Sequence, residues 1–189
     1  MRASPLSAQS IRSFPDMERE PSLSGAARRL AALLLRQKKT FAAAESCTGG
    51  MIASAAVGVP GASRFFAGGA VSYSDRSKTI LAGVPAGTVR RYTAVSPETA
   101  AAMAKGIREK LGADYGVATT GIAGPTGATE KDPVGAVYLA VSSPEGETVC
   151  RRVYGGGRRA VRLAAARDAL LLLCGTAERK KEKTIGSCR

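Results

Sequence analysis

Between residues 22 and 37 the apolar positions Leu23, Ala26, Ala27, Leu30, Leu33 and Leu34 return every three or four residues, with Arg28, Arg29 and Arg36 elsewhere on the cycle. That period predicts an amphipathic helix, ending near Lys38 and Lys39, where cations suit a helix C-terminus. Residues 41–44 are uninterruptedly apolar, as in a strand covered on both faces. They run into a polar turn, Glu45-Ser46-Cys47-Thr48-Gly49-Gly50, after which 51–57 resumes as a small apolar helix. Gly58-Val59-Pro60-Gly61 breaks the chain, and Phe65 and Phe66 read as core anchors. Residues 67–74 form the next predicted strand, delivering Tyr73 and Ser74 at its end. A short helix over 75–81 follows, with Ser74 as its cap.

Residues 83–95, with two glycines and a proline, read as a connecting loop. Ser96-Pro97-Glu98 then marks a helix start, proline at its first position, and that helix runs to Leu111 and stops at Gly112. Residues 114–120 predict another strand, opening into a second glycine-rich loop over 121–128. Strands over 134–142 and 148–153, joined by Ser143-Pro144-Glu145-Gly146-Glu147, predict an antiparallel hairpin. A long helix over 158–173 closes the pattern. Residues 1–21, rich in Ser, Pro and Arg with no hydrophobic period, are predicted to be mobile, and 174–189 a frayed basic tail, leaving one folded domain over 22–173. Strands alternating with helices imply an α/β fold with a mainly parallel sheet covered on both faces, made mixed by the hairpin. In such sheets ligands bind at strand ends, which singles out the loops 45–50, 73–78 and 121–128.

Composition changes this picture in two places. The 189 residues suit one domain with a full core, and few aromatics, no Trp and 22 glycines point to closely approaching backbones. The net charge of +13 resembles a nucleic-acid signal, but +5 of it lies in residues 1–40 and +3 in 174–189, leaving +5 on the long middle. No basic-aromatic interleaving accompanies it, so no specific nucleic-acid partner is expected. Cys47, Cys150, Cys174 and Cys188 form no C-x-x-C pair and there is no histidine, so neither a zinc site nor a disulfide framework is expected. No run approaches the roughly 18 apolar residues of a membrane span, and no secretory signal opens the chain. A reducing cytoplasm fits best.

The absence of histidine narrows the chemistry most. A Ser-His-Asp triad cannot exist, yet a serine nucleophile needs a base. A partly desolvated lysine can serve, and Lys78 is the only lysine between Lys39 and Lys105. Ser46 sits in the polar turn before a helix, where backbone amides at Gly49 and Gly50 would favour an oxyanion. The same features are compatible with a plain capped turn and a solvated helix lysine. Cys47, a thiol at a helix start, is the rival nucleophile. Ser74 is spaced to pair with Lys78 but also to cap its helix. Glu45 could be a structural acceptor or could tune Lys78.

Four segments, Ala44-Glu45-Ser46-Cys47-Thr48-Gly49-Gly50, Tyr73-Ser74-Asp75-Arg76-Ser77-Lys78, Thr120-Gly121-Ile122-Ala123-Gly124-Pro125 and Pro133-Val134-Gly135, occur in an order and spacing that resemble the CinA C-terminal domain family over residues 22–173. Active members of that family are nicotinamide-nucleotide amidohydrolases. The resemblance implies a three-layer α/β/α sandwich with a mixed, mainly parallel five-stranded sheet, often dimeric. It implies metal-free and cofactor-free hydrolysis of the carboxamide of nicotinamide mononucleotide to nicotinic acid mononucleotide and ammonia. Carried over residue by residue, Ser46 is the nucleophile, Lys78 its base, and Tyr73 assists proton transfer or positions substrate. Thr48, Gly49 and Gly50 donate hydrogen bonds at the oxyanion or amide, Gly121, Ala123 and Gly124 line the nucleotide pocket, and Arg158 meets the phosphate. The chain departs from the family at Ala128, Asp132 and Gly157, where the family commonly has glycine, lysine and an acidic residue. Two other readings stand beside this one: a nucleotide-binding module without turnover, and a nucleic-acid-associated protein using its basic ends.

Overall fold

The computed structural model describes residues 21–185, with side chains described through 179. The expected mobile extension, apart from Pro21, and the end of the basic tail lie outside the described residues. The first helix, α1 (Leu23–Gln37), starts where the Ser22 hydroxyl accepts the Gly25 N–H and ends on Lys38 in the left-handed conformation. Of its predicted periodic face, Ala26, Ala27, Leu30, Leu33 and Leu34 are buried, joined by Ala31, while Leu23 is half-buried.

Five strands form one sheet: β1 (Phe41–Glu45), β2 (Phe66–Val71), β3 (Tyr115–Gly121), β4 (Ala136–Ser143) and β5 (Gly146–Val153), in the order β2-β1-β3-β4-β5. β1 runs parallel to β2 and β3, while β4 is antiparallel to β3 and β5. Four of the five strands therefore point the same way. The helices are α2 (Met51–Val57), α3 (Asp75–Ala82), α4 (Ala86–Tyr92), α5 (Pro97–Lys110) and α6 (Arg158–Ile185). Among the described residues no helix is long and apolar enough to cross a membrane.

Alternation along the strands divides the core in two. Phe41, Ala43, Val117, Leu139 and Val141 pack on one side with α1, α2 and α6. Ala42, Ala44, Ala118 and Ala140 pack on the other with Met103, Ala104 and Ile107 of α5 and Val84 and Val89 beside it. The second face is built of small side chains so that α5 can lie close. A Cβ on Gly116 would overlap the Ala104 carbonyl, and one on Gly106 would overlap the Ala82 carbonyl.

Three expectations are corrected. Residues 83–95 hold a helix, α4, capped by Pro85 and anchored by the single buried Val89; seven residues with one core contact leave no period to read. The last helix does not stop at residue 173 but continues to Ile185, because Cys174 and Ala177 extend its buried stripe and Glu178 pairs with Arg29 of α1. The hairpin turn is only Pro144-Glu145, since Ser143 already pairs with Gly146.

Candidate active site

β1, β2 and β3 all release their chains at the same edge of the sheet, as parallel strands must. β1 ends at Glu45 and hands on Ser46; β2 ends at Val71 and hands on Ser72 and Tyr73; β3 ends at Gly121. Ser74 then starts α3 with a reciprocal cap, its hydroxyl accepting the Ser77 N–H while the Ser77 hydroxyl accepts the Ser74 N–H. That cap occupies Ser74 and turns α3 so that Lys78, one turn in, points back under the strand ends.

Lys78 is 1% exposed and Ser46 7%. The Lys78 ammonium donates to the Ser46 hydroxyl at 3.2 Å, to the Ser72 carbonyl at 3.0 Å and to the Tyr73 carbonyl at 3.3 Å. Burial holds its pKa below the ordinary lysine value, with Asp75 and Cys47 opposing weakly. The arrangement has a chemical consequence. Carbonyls can only accept, so when Lys78 is neutral its two N–H groups stay on Ser72 and Tyr73. The lone pair is left facing Ser46 Oγ, where it can take a proton.

The turn after β1 is organised by Glu45, which is 1% exposed. Its carboxylate accepts the N–H groups of Gly50 at 3.0 Å, Ile52 at 3.1 Å and Ala53 at 2.9 Å. The start of α2, expected from the sequence to be open for an anion, is thus filled by the protein's own carboxylate. Glu45 is a structural acceptor, and it is not among the charges acting on Lys78. The Gly49 N–H is likewise taken, by the Ser46 carbonyl at 3.2 Å. Thr48 keeps its hydroxyl on the Thr119 hydroxyl at 2.7 Å. So the amides of Gly49 and Gly50 are spoken for, which differs from the role expected of them.

Tyr73 brings its backbone carbonyl to Lys78, but the residue is 62% exposed and its hydroxyl accepts from Arg158 at 3.1 Å. Its hydroxyl has no bond to Ser46 or Lys78 among the described residues, so the geometry matches a positioning group better than a proton relay. Arg158 also donates to the Gly124 carbonyl at 2.7 Å. It straps the loop after β2 to the loop after β3. Gly121 closes β3 opposite Val137, Ala123 is buried, and Gly124 adopts a φ of 79° with Val134 where a Cβ would stand. Burial pushes the Cys47 thiol up to about 11, and the Lys78 amine is bonded to Ser46 Oγ, so the base serves Ser46.

The three departures from the family pattern fall into two groups. Ala128 and Gly157 are exposed. Asp132 is 3% exposed and is held beneath its loop by Arg151 at 3.0 Å and the Tyr138 hydroxyl at 3.1 Å. Its carboxylate braces the loop against β4 and β5. Among the described residues no group of three or more His, Cys, Asp or Glu could hold a metal ion.

One site residue escaped the sequence reading. Arg162, one turn after Arg158 on α6, donates to the Cys47 carbonyl at 3.1 Å and the Thr48 carbonyl at 3.0 Å. Two arginines four apart share a helix face, which was the available signal, but nothing in the sequence says that this face meets the turn after β1.

The CinA C-terminal domain family model matches residues 24–177. A CinA-like protein of Acidobacterium capsulatum is 53% identical over 69% of this chain and 32% of its own length. One of Myxococcus xanthus is 51% identical over 74% and 34%, so the chain spans about a third of the curated relatives it matches. Among solved structures, a CinA superfamily protein from Klebsiella pneumoniae aligns with a TM-score of 0.80 at 30% identity, covering 84% of this chain and 99% of that one. The competence/damage inducible protein CihA of Agrobacterium tumefaciens aligns with a TM-score of 0.78 at 37% identity over 84% and 98%. With this fold, these strand-end loops and this extent of similarity, the chain belongs to the CinA C-terminal domain family.

Proposed function

We propose that the domain hydrolyses the carboxamide of nicotinamide mononucleotide, releasing ammonia and nicotinic acid mononucleotide, through Ser46 and Lys78. The observation that carries the reading is the buried Lys78 amine, 3.2 Å from the Ser46 hydroxyl, with its other donors held on two backbone carbonyls. The choice of substrate rests on the family resemblance. As Ser46 Oγ bonds to the amide carbon, its proton passes to Lys78. The tetrahedral intermediate collapses, the carbon–nitrogen bond breaks, and Lys78 returns the proton to the leaving nitrogen, giving ammonia. Water then gives a proton to Lys78 and attacks the ester, and Ser46 leaves as the free hydroxyl.

The exposed ring of Tyr73 suits the face of a cationic pyridinium. Arg158 keeps N–H groups beyond those spent on Gly124 and Tyr73, and these suit a phosphate. A homodimer in the cytoplasm belongs to the same proposal.

Ammonia release from nicotinamide mononucleotide tests the reading, with Ser46→Ala and Lys78→Ala alongside. Each variant should lower kcat by about 10³-fold or more while leaving the thermal transition in place. Retained turnover in either folded variant sinks the Ser46–Lys78 assignment. Nucleotide binding without ammonia release from the intact domain selects the non-catalytic module.

A further inference from the structure

Attack on an amide carbon builds negative charge on its oxygen, and that charge needs fixed donors. Around Ser46 the amides can be accounted for one by one. The Ser46 N–H donates to the Thr119 carbonyl, the Gly49 N–H to the Ser46 carbonyl, and the Gly50 N–H to Glu45. The N–H groups of Cys47 and Thr48 have no oxygen acceptor among the described residues. They lie close to the Cys47 sulfur, next to the nucleophile.

Their direction is set from the opposite side. A trans peptide holds its C=O and N–H antiparallel. Arg162 binds the Cys47 and Thr48 carbonyls together, through Nε at 3.1 Å and an Nη at 3.0 Å. The peptide joining Cys47 to Thr48 is thereby turned so that the Thr48 N–H faces away from Arg162. The fit is close: a Cβ on Gly49 would stand 2.8 Å from the Arg162 guanidinium. The planar fork suits this task, because it fixes two N–H groups in one plane, which a lysine ammonium does not. The positive charge at the Cys47 carbonyl also polarises the Thr48 N–H toward donation.

We propose that Arg162 is a positioning residue that aims the Thr48 amide as an oxyanion donor of this site. It touches neither substrate nor Lys78 and acts through the turn. The inference rests on the Ser46–Lys78 reading, so its test uses a probe independent of the nucleotide. An alkyl fluorophosphonate reacts as Ser46 Oγ bonds to phosphorus, fluoride leaves with the bonding pair, and the hydroxyl proton passes to Lys78; the phosphoryl oxygen gains charge in the transition state.

The intact domain should be labelled at Ser46. Arg162→Met and Arg162→Lys should each be labelled about 10- to 100-fold more slowly, in the range of a weakened oxyanion donor, with unchanged thermal transitions. In ammonia release they should lower kcat by the same factor and leave KM within about threefold, because the donors act on the transition state. Arg159→Met, an exposed arginine on the same turn, should behave as the parent. Labelling and turnover at the parental rate in folded Arg162→Met overturn the proposal, as does a rise in KM with kcat unchanged. If Arg162→Met fails to fold, Arg162→Lys decides on the same criteria. Labelling of the parent without ammonia release removes the substrate assignment alone and leaves the comparison decisive. No labelling of the folded parent overturns the Ser46–Lys78 reading and this proposal with it.

Discussion

Lys78 is useful because it is in the wrong place for a lysine. Burial lowers its pKa, and only the neutral amine has a lone pair for Ser46. Below that pKa the amine is protonated and the base is lost. The rate kcat/KM should therefore fall about tenfold per pH unit on the acid limb, with a midpoint below the ordinary lysine value of 10.5. A flat pH–rate profile through that region, or a midpoint at the ordinary value, argues against Lys78 as the base. A second residue carries strain rather than charge. Thr93 sits at φ 69°, ψ 168°, a region adopted almost only by glycine and costing a side chain about 1–3 kcal/mol. It is held there because its carbonyl accepts from the Thr99 hydroxyl at 2.6 Å. Thr93→Gly should raise stability by about 1 kcal/mol after the flexibility of glycine is counted. Denaturant unfolding reads this, and a loss of stability contradicts it.

At the scale of elements, the turn between β1 and α2 depends on Glu45. Three backbone donors converge on one carboxylate, and each buried donor left unpaired costs about 1–3 kcal/mol. Glu45→Ala should destabilise the domain by about 3 kcal/mol or more, whereas Glu45→Gln, which keeps one acceptor oxygen, should cost less. A near-neutral Glu45→Ala in urea unfolding shows that the turn does not need the carboxylate. Because Ser46 is the next residue, activity should fall with stability. The stop of α2 and the start of α3 are ordinary caps by comparison, and the Ser74 and Ser77 pair is what makes Lys78 face inward.

For the whole molecule, +8 of the basic excess lies in residues 1–40 and 174–189 and +5 in the segment that holds the site. The described fold brings Ser46, Lys78, Tyr73, Arg158 and Arg162 together from the ends of β1 and β2 and from α3 and α6. Removing residues 1–16 should leave ammonia release unchanged within about twofold, since every residue assigned to the site lies between 46 and 162. A large loss of rate means the extension reaches the pocket. Steep salt-dependent binding to nucleic acid that disappears on trimming both ends favours the reading in which those ends have a partner of their own.

Periodicity alone determined most of the architecture. The stripe in α1, the wholly apolar β1, the Ser-Pro-Glu start of α5 and the proline-glycine hairpin are local patterns, and local patterns specify elements. The absence of histidine together with an isolated Lys78 also pointed to a serine and lysine from the residues themselves. What the chain could not declare was anything depending on distance between elements. Helix α4 has too few core contacts to leave a period, and α6 outlasts its apolar run because α1 lies beside it. The amides of Gly49 and Gly50 looked open until the buried Glu45 carboxylate was found on the start of α2. Arg162 drew no reading from the sequence, because its partners lie on the turn that α6 crosses. Propensity and pattern act over a few residues, whereas Ser46 meets Lys78 across 32 residues and Cys47 meets Arg162 across 115, and at that scale the tertiary fold alone assigns the partners.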